Sequence, residues 1–255
     1  MKFAYAGFDL MAPALAALCE NNTLLKLFTC PVDGVSETNN EVIALADAAC
    51  APYTLSRITR EDIDTLVDGG CELLISAGYY YRIPVDCRLR MVNIHPSLLP
   101  YGRGAWPMPL AILDRLSESG VTVHKTEESF DTGDILMQER FPLAPDEHLD
   151  SLMQKVNALL PAMMRRLTAD FDSLWMNAVP QGEGVYLEEP DLRDYVLTPD
   201  SSAEYADRVL RAFYGFPVYY ARGGQRTAIL RGRAVTGDRK GRNYPLSDGY
   251  IRILG

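Results

Sequence analysis

The chain has 255 residues, 47% of them apolar and 23% charged, which suits one large soluble domain, or a domain plus a small appendage, around a real core. No run approaches the ~20 apolar residues that a membrane span needs. The formal net charge is −9, and residues 181–255 hold 11 Lys and Arg against 10 Asp and Glu, so the acidity lies in residues 1–180. An acidic body is a poor platform for phosphate backbones, because binding there rests on Lys and Arg displacing counterions. A strand-like run follows Met1 at once, without a basic leader and a long apolar stretch, so a cytoplasmic location is expected. Cys19, Cys30, Cys50, Cys71 and Cys87 are odd in number, scattered and never spaced as C-x-x-C. That pattern predicts buried, reduced thiols rather than a disulfide framework or a zinc site.

In chain order, residues 3–7 read as a short buried strand ending at a glycine. Residues 10–20 read as a helix, with Asp9 as its N-cap and Pro13 in its first turn. A strand is predicted at 23–30, helices at 40–50 and 60–68, and buried strands at 71–76 and 91–94. Strands alternating with helices imply an α/β fold: a mostly parallel twisted sheet with helices on both faces. Such sheets bind ligands beyond the carboxyl ends of their strands, here residues 77–84 and 95–104. A helix at about 106–118 and a strand pair at about 121–127 and 134–141 follow. The stripe Leu149, Leu152, Met153, Val156, Leu159, Leu160, Met163 and Met164 predicts one long amphipathic helix at about 147–175, its methionines packing against a core. Residues 181–184 read as a linker. A helix at 202–214 and strands at 218–221, 227–231, 233–236 and 250–254 then form a small, strand-rich C-terminal module.

Three segments carry chemistry. In Met91-Val92-Asn93-Ile94-His95-Pro96-Ser97-Leu98-Leu99-Pro100, a strand delivers Asn93 and His95 to one face by its period of two. Tyr101-Gly102-Arg103-Gly104-Ala105-Trp106-Pro107 is a Gly-rich turn entering a helix. Gly120-Val121-Thr122-Val123-His124 leads to Phe130-Asp131-Thr132-Gly133-Asp134-Ile135-Leu136. Singly, each has an ordinary explanation. A lone strand-end His is commonly a hydrogen-bonded structural residue, Asn93 suits a turn, and Asp131-Thr132-Gly133-Asp134 suits a tight turn. The last also resembles half a calcium loop, without its remaining ligands. His124, in an alternating strand, is expected to be structural, and His148, at a helix start, to face solvent. The triple aromatic Tyr79-Tyr80-Tyr81 suits stacking on a ligand and strand-end packing equally.

Together the order N-x-H-x-S-L-L-P, R-G, G-V-T-x-H and D-T-G-D-I-L resembles the folate-dependent formyltransferases. That family includes methionyl-tRNA formyltransferase, glycinamide ribonucleotide transformylase and the amino-sugar N-formyltransferases. The resemblance covers roughly residues 1–180, the implied catalytic domain, with a formyltransferase-like variant of the Rossmann fold. Residues 181–255 would be a small second domain, since Arg208 to Phe213 and Phe216-Pro217 resemble the start of the C-terminal domain in the tRNA and sugar members.

Formyl transfer requires a donor aimed at a developing oxyanion and a group that moves a proton from the attacking amine to the leaving nitrogen. The Asn93 carboxamide suits the first role and His95 the second, with Asp131 orienting His95 and raising its pKa. The family assigns the same roles to the matching residues. The resemblance implies N10-formyltetrahydrofolate as formyl donor and no metal. Its pterin would lie against Arg82, Ile83 and Pro84 and against Glu127, Glu128, Ser129 and Phe130, with Ser97, Leu98, Leu99 and Pro100 lining the transfer site. The acidic chain points to a small-molecule amine: a nucleotide-linked amino sugar, or a secondary-metabolite or siderophore amine. The alternatives are initiator Met-tRNA and, with water as acceptor, a formyltetrahydrofolate hydrolase. A silent binding protein would not be expected to keep all three polar residues. Trp106 and Pro109 depart from the family pattern and are expected to reshape the acceptor pocket. The C-terminal strands offer a surface for a homodimer or a lid.

Overall fold

The computed structural model describes residues 1–32, 37–238, 240 and 243–254. They form two compact units. The first comprises Met1–Arg103, Gly120–Phe141 and Lys155–Tyr186, and the second Gly104–Ser119, Pro142–Gln154 and Leu187–Gly255.

The strands of the first unit are β1 (Lys2–Gly7), β2 (Thr23–Phe28), β3 (Tyr53–Thr54), β4 (Leu73–Ala77), β5 (Arg90–His95), β6 (Tyr101–Arg103), β7 (Glu118–Lys125, entering from the second unit), β8 (Ile135–Pro142) and β9 (Val185–Tyr186). Its early connections hold α1 (Ala12–Cys19), α2 (Asn40–Ala48) and α3 (Arg60–Asp68). The sheet order is β3-β2-β1-β4-β5-β7-β8, parallel from β3 through β5, with β7 antiparallel to β5. This is the mostly parallel, helix-flanked sheet that the alternating pattern predicts. Helix α3 shows why the local sequence suffices. Thr59 and Asp62 cap each other reciprocally, and Ile63 and Leu66, three apart on one face, pack against Ala4, Ala6 and Leu74 of β1 and β4. Burying each of those two side chains stabilises the fold by about 1.5–3 kcal/mol.

Some expectations need correction. The helix predicted at 106–118 is only α4 (Pro107–Leu113). Arg115 adopts φ 55°, a left-handed conformation that ends a helix, and Glu118 already belongs to β7. The long helix divides into α5 (Leu149–Ala169) and α6 (Phe171–Met176), separated at Asp170. The apolar stripe of α5 is buried at Leu152, Val156, Leu160, Met163 and Met164, as amphipathic spacing requires. Cys30 and Cys71 are buried, but Cys50 and Cys87 are exposed, so the expectation of buried thiols fails for these two. Among the described residues, no helix is long and apolar enough to cross a membrane.

In the second unit, α7 (Ala203–Ala212) is capped by Ser202, whose hydroxyl accepts from Tyr205 N at 3.2 Å, and packs on α4. Two antiparallel hairpins follow, β10 (Val218–Arg222) with β11 (Gln225–Ile229) and β12 (Gly232–Thr236) with β13 (Gly249–Ile253). Asp207 of α7 accepts 2.8 Å hydrogen bonds from Nε of Arg211 and Nε of Arg233, tying the helix to β12. Trp106 packs 5.0 Å from Phe216 and 6.4 Å from Phe213, and Tyr195 lies 5.0 Å from Phe213. His148 is not the solvent-facing residue expected. Its ring stacks on Tyr214 at 4.7 Å, and its Nδ1 accepts from Ser151 N at 3.1 Å.

Candidate active site

The site is built at the carboxyl end of β5. Pairing places Ser76 of β4 beside Asn93, His124 of β7 on its other side, and Thr122 beside His95. Cross-strand neighbours share a face, so Ser76, Asn93 and His124 form a polar row across three strands.

Asp131 arrives from the turn between β7 and β8, and backbone geometry aims it. Its φ is 56°, in the left-handed region that Asp tolerates better than most side chains. Two residues on, a Cβ at Gly133 would sit 1.9 Å from the Lys125 carbonyl oxygen, so this position requires glycine. Lys125 also donates its backbone N–H to Asp134 O at 2.9 Å and its ammonium to the Asp134 carboxylate at 3.0 Å. The turn is thereby fastened to the end of β7. Gly120, at the other end of the G-V-T-x-H segment, is equally constrained: a Cβ there would meet Glu139 O at 2.2 Å.

One carboxylate oxygen then becomes a hub. Asp131 Oδ1 accepts from Asn93 Nδ2 at 3.2 Å and lies 3.5 Å from both His95 Nδ1 and His124 Nε2. His95, His124 and Asp131 are 5%, 2% and 9% exposed, so these charges interact with little screening. Carbonyl oxygens only accept, which identifies the proton-bearing nitrogens. His95 Nε2 donates to Gly102 O at 2.7 Å, and His124 Nδ1 donates to Lys125 O at 2.8 Å. Neutral His124 therefore presents a bare Nε2, which accepts from Asn93 Nδ2 at 3.2 Å. Burial pushes the His95 pKa below its ordinary value, outweighing the Asp131 carboxylate and the Gly102 contact that favour the charged form. Asp131 acts in the expected direction, but the burial of the ring prevails.

The surroundings brace this cluster. Ser97 donates to Tyr101 O at 3.0 Å or Gly102 O at 3.2 Å, the latter the carbonyl that holds His95. Thr122 Oγ1 accepts from Leu99 N at 3.2 Å and donates to Ser97 O at 2.7 Å. The loop of Ser97, Leu98, Leu99 and Pro100 is thus moored to β7, with Ser97 and Leu99 buried. Residues 181–184, read as a linker, are pinned as well. Gln181 accepts from Arg103 Nη2 at 2.9 Å and donates to Gly133 O at 2.6 Å, so the arginine of the R-G motif reaches the Asp131 turn.

The two loops expected to hold the folate donor meet. Arg82 lies over the Phe130 ring at 5.2 Å, beside Ile83 and Pro84 and facing the segment Glu127, Glu128, Ser129 and Phe130. Phe130 is 52% exposed, and Glu127, Glu128, Ser129 and Arg82 are exposed too, whereas Ile83 is buried. Just before this loop, the Thr126 hydroxyl is buried without a hydrogen-bond partner. The open aromatic surface of Phe130 under Arg82 fits a flat ligand. Tyr79 is committed to packing: its hydroxyl accepts from Ile58 N at 3.1 Å and donates to Ser56 O at 3.2 Å. Sequence reasoning missed Ser76, read His124 as merely structural, and did not foresee the Gln181 link. Only strand register reveals the first two, and only a distant chain return the third.

The sequence model of the formyl transferase family matches residues 31–168. A methionyl-tRNA formyltransferase of Ehrlichia ruminantium is 31% identical over 167 residues, covering 64% of this chain and 54% of that protein. The chain thus matches about half the length of that relative. The methionyl-tRNA formyltransferase of Parvibaculum lavamentivorans is 30% identical over 254 residues, covering 92% of this chain and 82% of that protein. Among solved structures, a sugar N-formyltransferase from Shewanella superposes with a TM-score of 0.72 at 21% identity, covering 93% of this chain and 99% of that one.

Proposed function

The chain belongs to the formyl transferase family, and from that premise we propose that it moves a formyl group from N10-formyltetrahydrofolate to the amine of a small molecule. The observation that carries this reading is the hub at Asp131 Oδ1, 3.2 Å from Asn93 and 3.5 Å from His95 within one buried cluster. When bound, the folate would supply a formyl carbon held on a nitrogen leaving group. Arg82, Ile83 and Pro84, with Glu127 to Phe130, would hold it. Asn93 directs its N–H groups toward the charge that develops on the formyl oxygen, a role worth about 10²–10³ in rate. His95 is neutral near pH 7 because burial disfavours its charge, so it takes a proton from the attacking amine. Asp131, beside the ring nitrogen that Gly102 does not hold, stabilises the imidazolium so formed. His95 then returns the proton to the leaving nitrogen, and the bond to the formyl carbon passes from one nitrogen to the other.

The small-amine acceptor, a nucleotide-linked amino sugar or a siderophore-type amine, follows from the net charge of −9 and its concentration in residues 1–180. That field opposes a polyanion. Met-tRNA is the second reading, favoured by the relative matched over 92% of this chain. A panel of amines with the folate donor tests both: nucleotide amino sugars, hydroxyornithine, Met-tRNA and a no-amine arm. Turnover confined to Met-tRNA would replace the small-amine reading. Folate deformylation that no amine accelerates would make the protein a hydrolase.

A further inference from the structure

Asn93 acts through the polarity of its carboxamide. With N–H groups toward the site it stabilises an oxyanion; flipped, it would present a carbonyl oxygen and repel one. Three neighbours set that polarity. Asp131 Oδ1 and His124 Nε2 each lie 3.2 Å from Nδ2, and the Ser76 hydroxyl donates to Oδ1 at 2.8 Å. Ser76 has one proton and a second acceptor, Val92 O, at 3.3 Å, so the shorter bond to Asn93 is the stronger.

The three contacts are not equivalent. Asp131 and His124 take up both protons of the amide nitrogen, so at least one of these contacts must give way if an N–H of Asn93 is to turn to a substrate oxygen. Ser76 touches the other end of the amide. It is 5% exposed, on the neighbouring parallel strand, and need not move when a substrate arrives. We propose that Ser76 is a positioning residue that holds the Asn93 carboxamide with its N–H groups toward the site while contacts at its nitrogen end are exchanged. The kinetic side of this inference rests on the formyl-transfer reading; the geometric side does not.

The test uses Ser76→Thr and Ser76→Val, nearly equal in size and both suited to a buried strand, one keeping the hydroxyl and one lacking it. The full-length protein is labelled with ¹⁵N-asparagine, Asn93→Ala identifies the Asn93 side-chain signals, and those signals are followed without ligand. In wild type and Ser76→Thr the Asn93 N–H pair is expected to be sharp and slow to exchange; in Ser76→Val it shifts and broadens. With the accepted amine, kcat of Ser76→Val is expected about fivefold to tenfold below that of Ser76→Thr, the effect of one neutral hydrogen bond, with KM for the folate within twofold. Equal kcat in the two variants, or an Asn93 signal indifferent to the hydroxyl, would overturn the proposal. If wild type transfers formyl to no amine while the Asn93 signal still follows the hydroxyl, the formyl-transfer reading fails and the clamp on Asn93 stands.

Discussion

Two carboxylates in this chain, Asp131 and Asp207, are surrounded in opposite ways. Asp207, in the second unit, sits between Arg211 and Arg233 at 2.8 Å each, two cations whose charge does not change at any physiological pH. Asp131, in the first unit, gathers two imidazoles and an amide around one oxygen, all three able to change partner or protonation state. A carboxylate held by fixed charges fastens one element to another. A carboxylate whose partners titrate can follow the movement of a proton. The contrast lies in the partners and not in exposure, since Asp131 is the more buried of the two.

The sharpest way to break that comparison is to remove each side in turn. His95→Ala and Asp131→Ala are expected to lower formyl transfer by about 10²–10⁴ while circular dichroism and the melting transition stay near wild type. Turnover like that of wild type in either variant would remove the mechanism. Asn93→Ala is expected to lose about 10²–10³ in kcat, and a loss under threefold would assign the oxyanion to backbone groups instead. Asp207→Ala should do the reverse. It removes the shared carboxylate of Arg211 and Arg233, leaving Arg211 its bond to Glu147 O, so urea titration should show a loss of about 1–3 kcal/mol with kcat of the folded fraction unchanged. A fall in kcat with no loss of stability would erase the distinction.

A pH series sharpens the same point. Burial depresses the His95 pKa, so folding favours its neutral form. The stability this contributes is present above the ordinary value of 6.5 and is lost as pH falls from there through the folded value. The urea midpoint should therefore drop between pH 7.5 and 5.5 by more in wild type than in His95→Gln, and the acid limb of kcat/KM should lie below 6.5. An acid limb above that value would mean that Asp131 prevails over burial. The smallest effect is expected at Trp106. Its ring is part of the aromatic cluster with Phe213 and Phe216 in the second unit, so Trp106→Leu should cost about 0.5–1.5 kcal/mol beyond lost area. An unchanged amine preference would assign Trp106 to packing alone; a changed preference would support the expectation that it shapes the acceptor pocket.

What the sequence disclosed follows from the range of the interactions involved. Helix α3 is legible to the residue, because its capping box and apolar spacing lie within nine residues of each other. The alternation in β5 likewise presents Asn93 and His95 together. The short strands β3, β6 and β9 were not legible, having two or three residues each and no period to detect. His124 stayed hidden for another reason. Its alternating strand is correctly read, but whether it meets Asn93 depends on the register of β7 against β5, which thirty residues of intervening chain leave open. The depressed pKa of His95 was illegible too, because a carboxylate neighbour can be guessed from a motif and the burial around it cannot.

The glycine at 133, crowded onto the Lys125 carbonyl, bears on how this turn can change over time. The direction of Asp131 is set largely by main chain, through its φ of 56° and the close approach at Gly133. Glu127, Glu128, Ser129 and Phe130 lie on the surface just upstream, and the Thr132 hydroxyl ties the turn to the Glu127 carboxylate at 3.4 Å and to Ser129 O at 3.1 Å. Substitutions of the Glu128 and Phe130 side chains leave these anchors in place. The exposed face of this turn can therefore vary while the aim of the neighbouring carboxylate is kept.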